Sequence, residues 1–243
     1  MSLTGRQSSL TSSPASMRPP RATTLESGDR LSRAEFHRRY EQASPHLKAE
    51  LVEGVVYVSA AVRNRSHGTP HGHVLGCVAT YCASTPGVAF ADNATIRLDA
   101  DNEVQPDVLM RLLPEHGGRC RESPDDYLEG PPELVIEVAA SSASYDLHDK
   151  LNAYRRNGVR EYLVWLVEEA QFACYRMGEE GELIPADVAS SGGIFRSAAF
   201  PGFWLSTEAL LAGDLRRALD VVLQGLASLE HEELVRRQGA IER

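Results

Sequence analysis

Glu137 stands inside the run ELVIEVA (133–139), where strand alternation puts Leu134, Ile136 and Val138 on one face and Val135 and Glu137 on the other. Both faces are apolar enough for a central strand covered on two sides. An ionised carboxylate in such a strand costs on the order of several kcal/mol unless it is paired or metal-bound. Asp107 raises the same question. It follows Gln105-Pro106 and precedes Val108-Leu109-Met110, so it sits where an irregular segment becomes a strand. Pro106 removes a backbone donor and biases Gln105 toward extended geometry. Two carboxylates on neighbouring strands offer hard oxygen ligands, which suit Mg²⁺ or Mn²⁺ rather than Zn²⁺. Either carboxylate alone is explained as well by an arginine partner or a turn cap.

A lysine strengthens the pair. In SASYDLHDKLNAYRRNG (142–158), Leu147, Leu151 and Tyr154 share one helical stripe, and Lys150 lies on that inward side while Asp149 and Arg156 point away. A lysine there can snorkel outward. Its functional reading is to neutralise a phosphate or position a water beside the metal.

The elements that must carry these residues mix strands and helices. Ser32, with Glu35 three residues on, is a capping box opening a helix through about Gln42. ELVEGVVYVSA (50–60) is strand-like, with Glu53-Gly54 able to turn it into a hairpin. Val74, Leu75, Val78 and Tyr81 predict a helix over 71–84. Strands are expected at 88–91, 94–99, 105–112 and 133–139. A helix from Asp146 to Asn157 is stopped by Gly158. Strands follow at 161–167, 171–177, 182–184 and 193–198, then one or two amphipathic helices over 210–229. A β-meander leading into a β-α-β unit makes an α/β or α+β layered domain.

Composition agrees with an ordinary folded protein. Of the 243 residues, 42% are hydrophobic and 24% charged, enough to build a core without a structural metal or disulfide. A net charge of −9 argues against a broadly basic coat for nucleic acid, though not against local enclosure of an acidic site by Arg and Lys. The four scattered cysteines form no C-x-x-C pair and read as reduced thiols. No apolar run approaches a membrane span, and the N-terminus lacks a signal-peptide core, so a cytoplasmic location is expected. Residues 1–28, rich in Ser, Thr, Pro and Arg, read as a disordered tail. The folded domain is expected over 29–209, with a helical segment over 210–243.

Four stretches carry a family resemblance: ELVEG (50–54), QPDV (105–108), PPELVIEVAASSASYDLHDK (131–150) and NAYRRNGVREYLVWLV (152–167). In order and spacing they resemble the Uma2-type restriction endonuclease family (the DUF820 group) of the PD-(D/E)xK nuclease superfamily, over about residues 30–205. The resemblance implies a restriction-endonuclease-like mixed β-sheet flanked by helices. Its implied activity is Mg²⁺-dependent hydrolysis of phosphodiester bonds in DNA, with Mn²⁺ as a substitute metal. Asp107 and Glu137 fall on the metal ligands, and Glu50 on a further ligand or water-positioning group. His71 falls on a histidine suited to a phosphate, and Tyr154 on a tyrosine facing substrate. The superfamily's lysine position, two after the Glu, is Ala139 here, and Lys150 resembles a migrated lysine. The alternative is a catalytically inactive DNA-binding or assembly module that keeps the fold, and a third is hydrolysis of another phosphoester. A homodimer would suit cutting two strands.

Other signals carry less. The run from His67 through His71 to His73, broken by Gly and Pro, reads as irregular and lacks the cysteines of a zinc site. Ser141-Ser142 reads as a turn or helix cap rather than a nucleophile. Asp99, Asp101 and Glu103 read as a solvated hairpin loop, and Trp165 as core.

Overall fold

The computed structural model describes residues 24–59, 63–140 and 143–241. Ser141-Ser142 therefore lies outside the described residues, as does most of the expected tail. Order is already present at Leu25, which is buried against the Phe36 cluster.

Helix α1 (Arg33–Glu41) opens on Ser32, whose hydroxyl accepts from the Glu35 N–H at 3.4 Å. The capping box is only half made, because the Glu35 carboxylate turns instead to Arg38 and Arg39. The hairpin of β1 (Ala49–Val52) and β2 (Val55–Val58) turns at Glu53-Gly54, both at positive φ. A π-helical turn (Asn64–Gly68) runs into α2 (Thr69–Cys82). The His67–His73 run is thus helical, not irregular. Pro70 falls in the first turn of α2, where its missing N–H has no helical partner to lose.

Next come β3 (Val88–Asp92), β4 (Ile96–Arg97), β5 (Glu103–Val104) and β6 (Val108–Leu112). They are followed by β7 (Arg121–Glu122), β8 (Leu128–Glu129) and β9 (Leu134–Ala139). The chain then runs as one helical stretch through α3 (Ala143–Tyr145), a second π-helical turn (Asp146–Lys150) and α4 (Leu151–Asn157). Gly158, at φ +79°, ends it as expected. Beyond it lie β10 (Glu161–Leu166), β11 (Gln171–Met177), β12 (Leu183–Pro185), β13 (Ile194–Arg196) and β14 (Trp204–Ser206). Three helices follow: α5 (Thr207–Leu211), α6 (Leu215–Leu226) and α7 (Leu229–Ile241).

The central sheet has the order β12-β11-β10-β9-β6-β3. It is mixed: β9 and β10 are parallel, joined by the α4 crossover, and the other neighbours are antiparallel. A second sheet of short strands runs β2-β1-β5-β4-β8-β7. The expected α/β class with a mixed sheet flanked by helices is what the chain adopts.

Two apolar clusters cover the central sheet. On one face Val108, Leu134, Ile136 and Leu163 pack against Val78 and Tyr81 of α2, with Leu210, Ala218 and Val222 from the C-terminal helices. On the other, Val135, Ala139, Tyr162 and Val164 pack on Ala153 and Tyr154 of α4, beneath Val52, Ile96 and Val104 of the second sheet. The strand alternation read from ELVIEVA is seen in Leu134 and Ile136 on one face and Val135 and Ala139 on the other, and β9 is buried throughout. Helix α4 is thereby clamped between the two sheets, which fixes what its inward side chains can reach.

Candidate active site

The site forms where β6 begins, against the second half of β9. Their antiparallel register pairs Val108 with Ile136, so one step back along β6 sets Asp107 across from Glu137. Pro106 keeps the ladder from running further, leaving Asp107 to bond through its side chain. The Asp107 N–H donates to Glu137 Oε2 at 3.2 Å, and the Val138 N–H donates to Asp107 Oδ2 at 2.7 Å. The two carboxylates are thus locked to each other's strands.

Lys150 completes the arrangement from the helix. Its Nζ lies 2.9 Å from Glu137 Oε1, 3.0 Å from Glu50 Oε1 and 3.8 Å from Asp146 Oδ1. The π-helical turn, wider than an α turn, brings Asp146 and Lys150 to the same buried pocket. Glu50, on β1, also accepts from the Gln105 N–H at 2.7 Å, tying the second sheet to the Asp107 segment. Lys150 does not snorkel: its side chain is 4% exposed.

Tyr154 is fully buried and donates to Glu137 Oε1 at 3.1 Å, so in this arrangement it holds Glu137 rather than facing a substrate. His71, partly exposed, has Nε2 at 3.1 Å from both the Asp107 carbonyl and Asp92 Oδ1. Its neighbour His67, one turn earlier, reaches the Asp107 carboxylate itself at 3.0 Å. The sequence signals His67 only by its i, i+4 relation to His71, a spacing that becomes meaningful once both are known to be helical.

Asp146 was equally easy to pass over, as one more acid in a polar helix start. Tyr145 also belongs to the neighbourhood. Its ring packs on Tyr57 at a centroid distance of 3.9 Å, and Lys150 Nζ lies 5.3 Å from its centroid. The Tyr57 hydroxyl donates to Asp149, which therefore is not simply turned to solvent. Glu103 departs further from expectation. It is 1% exposed, held by His37 at 2.8 Å and flanked by Arg33 and Arg97, because β5 turns it inward beneath α1.

The electrostatics follow from this crowding. Burial pushes the Glu137 carboxyl well above the ordinary carboxylate range; Lys150 pulls it back, while Asp107, Asp146 and Glu50 push it further. Burial alone would depress the Lys150 ammonium, but Glu137 and Glu50 outweigh it and keep it charged. For Asp107 burial again opposes ionisation, yet the His67 hydrogen bond and charge, the Val138 N–H and Lys150 hold it below its usual value. The Asp107 hydrogen bond in turn raises His67, against the effect of burial.

Three carboxylates surround one ammonium, and Asp107 adds a fourth beside them. Such a surplus of hard oxygen donors is chemistry that fits a divalent cation of the Mg²⁺ class. Among the described residues, no three His, Cys, Asp or Glu side chains converge into a ready-made metal cage. Two carboxylates plus water and substrate oxygens are, however, what Mg²⁺ commonly takes. Asp107 and Glu137 fit that smaller role, with Asp107 on the more open side.

Comparison with known proteins bears on the same region. The profile of the Uma2 family, described as "Putative restriction endonuclease", matches residues 33–208, more than half of the 243. A crystal structure titled as that of "a putative nuclease belonging to DUF820 from Anabaena variabilis ATCC 29413" superposes with a TM-score of 0.58 at 12% identity. The match covers 75% of this chain and 98% of that one, a likeness of fold. No curated protein matches the chain. No described helix is long and apolar enough to cross a membrane.

Proposed function

The chain belongs to the Uma2 family of restriction endonucleases, and from that premise we propose that it is an Mg²⁺-dependent endonuclease hydrolysing phosphodiester bonds in DNA. The observation that carries the proposal is the mutual locking of Asp107 and Glu137 across β6 and β9, with Lys150 bound to Glu137. Asp107 and Glu137 would hold the cation, with Mn²⁺ as a substitute. When bound, such a cation polarises a phosphoryl oxygen and acidifies a water molecule.

The protein's own residues do the rest. Asp107 is kept ionised by His67, ready to act as an oxygen ligand. Lys150 and Tyr154 converge on Oε1 of Glu137 and fix that carboxyl's orientation, leaving Oε2 on the Asp107 side. The Asp107 N–H on Oε2 and the Lys150 ammonium on Oε1 favour the ionised Glu137 carboxylate that ligation of a cation requires. Lys150 offsets negative charge building on the phosphate. Glu50 anchors Lys150 from the second sheet, and His71 stands at the rim where a phosphate could meet it.

Supercoiled plasmid and linear duplex incubated with Mg²⁺, Mn²⁺ or EDTA test the proposal. Divalent-dependent cleavage should be lost in Asp107→Ala and in Glu137→Ala while both variants stay folded by circular dichroism. Cleavage that survives both single substitutions would sink it. Calorimetric titration of Mg²⁺, with and without a short duplex, should give heat in the wild type that both variants lose.

A second reading rests on the deep burial of the site, with Glu137 and Lys150 each 4% exposed. In it the chain is a DNA-binding or assembly module whose carboxylate–lysine cluster serves the fold. It predicts salt-dependent DNA binding and no cleavage with any metal.

A further inference from the structure

A different part of the molecule concentrates positive charge. At the far end of α4 from Lys150, Arg119, Arg155, Arg156 and Arg160 line a depression of about 460 Å³ whose remaining walls are two glycines and Met177. No carboxylate lines it. Arg119 also lines a second depression of about 340 Å³ that adds Arg33, Arg97 and Arg121 together with Asp99 and Glu129. Seven arginines therefore border two depressions that share Arg119, on a chain whose formal charge is −9.

Several of these arginines are already partnered. Arg97 binds Asp125 at 2.7 Å, Arg121 binds Glu129 at 3.0 Å, and Arg156 binds Glu53 at 2.9 Å and Asp99 at 3.0 Å. The first depression is furnished differently. Arg119 donates only to the Gly158 carbonyl among its hydrogen bonds, and a Cβ on Gly158 would meet its guanidinium at 3.0 Å. Glycine at 158 lets that guanidinium lie across the end of the helix. Arg155 and Arg160 are exposed and form no side-chain ion pair among the described residues. The acidic group on which Arg119 and Arg160 act is Glu133, which is fully buried and cannot neutralise them at the surface.

We infer that this groove is a phosphate-binding surface that anchors the sugar–phosphate backbone of nucleic acid beyond the cleaved bond. Guanidinium groups recognise phosphate oxygens in bidentate fashion, and unpaired ones lose no existing partner in doing so. A lone nucleotide suits the groove less well, since only Leu98 and Met177 offer an apolar wall for a base. Arg119, Arg155 and Arg160, side by side around one depression and free of carboxylate partners among the described residues, instead match successive phosphates. Arg160 precedes by four residues Val164, the partner of Glu137 in the parallel ladder, roughly 13 Å along the strand. About four steps of duplex at 3.4 Å cover that distance. The inference rests on the nuclease reading for its ligand, but not for its residues.

Anisotropy titrations of a labelled 20-base-pair duplex over a range of salt, in EDTA and on the Asp107→Ala background with Mg²⁺, test it. The Arg155→Ala/Arg160→Ala variant should bind at least tenfold more weakly than its parent. Its slope of log K against log salt should fall by about 1.8, the value for two lost phosphate contacts. Arg155→Glu/Arg160→Glu should weaken binding further, and Arg216→Ala/Arg236→Ala, which removes two exposed charges elsewhere, should leave the slope alone. An unchanged slope in the first variant overturns the groove, even if the wild type cuts DNA. The expected loss of slope without any cleavage keeps the groove and removes the nuclease. Inorganic phosphate binding that the variant loses, with duplex binding intact, overturns the backbone assignment in favour of a free-anion site. A wild type that binds no duplex overturns it outright.

Discussion

Lys150→Met replaces the ammonium with a neutral side chain of similar length and leaves Glu50, Glu137 and Asp146 facing one another without their cation. Breaking a buried ion pair by removing one partner costs about 3–5 kcal/mol. At 2–4 °C per kcal/mol for a chain of this size, the melting temperature should fall by roughly 6–20 °C. The loss should depend on pH in a definite direction. Without Lys150, the Glu137 carboxyl has its pKa raised further above the unfolded value, so its contribution is favourable below about pH 4 and is lost as pH rises through the folded value. The deficit relative to wild type should therefore be smaller at pH 5 than at pH 8. Thermal melts of both proteins at those two pH values measure it. Equal melting temperatures at pH 8, or a deficit that grows on acidification, would refute the claim that Lys150 is what offsets the buried carboxylates.

Other outcomes are expected on the same grounds. The His67 ring, followed by NMR, should titrate above the ordinary histidine value, and Asp107→Asn should bring it back; the pair's stabilisation is present below the unfolded histidine value and lost as pH rises through the raised one. A His67 titration indifferent to Asp107→Asn would remove the ion pair from the account. Gly225→Ala should lower the urea midpoint despite alanine's better helix propensity, because the new Cβ would sit 2.2 Å from the Gly202 carbonyl oxygen. A midpoint that rises would mean that α6 does not pack there. Cys77, Cys82 and Cys174, with thiols pushed up to about 12, and Cys120, up to about 11, should react with a thiol reagent at pH 8 only as the protein unfolds. Labelling of Cys77, Cys120 or Cys174 on mixing with native protein would contradict their burial, while half-buried Cys82 should be the first to react.

The parts of this fold that could be read in the sequence are those where a period repeats long enough to be seen. ELVIEVA, EYLVWLV and the helix ending at Gly158 all carry several turns or alternations; the two strands appear within a residue of their expected bounds, and the helix ends where expected but winds from Ala143, three residues before Asp146. The strands β4, β5, β7 and β8 span two residues apiece, too short for alternation to show, so a whole second sheet went unseen as a sheet. The stretch 94–99 shrinks to Ile96–Arg97, and 105–112 loses its first three residues to Pro106 and its neighbours. Glu137 could be singled out because a charge in an apolar strand demands a partner. His67 and Asp146 could not, since what distinguishes them is three-dimensional: one meets Asp107 across a helix–strand gap, the other meets Lys150 through a widened turn.

Those two widened turns set a limit on how this chain can vary in length. Asn64–Gly68 precedes the helix bearing His71, and Asp146–Lys150 precedes the helix bearing Tyr154. Each acts as a phase shifter between groups that must converge. Each holds one residue more than an α turn, whereas a residue added to or removed from the ordinary α winding beside it would rotate what lies upstream by about 100° relative to what lies downstream. Between Lys150 and Tyr154 such a change would swing one of the two off the Glu137 oxygen that both now reach, although no chemical group of the cluster had been removed. In the surface loops a residue gained or lost is absorbed locally. In the helical windings that flank these turns it is a change of angle at the carboxylate–lysine cluster, so the spacing of the chain there matters as much as the identity of the carboxylates.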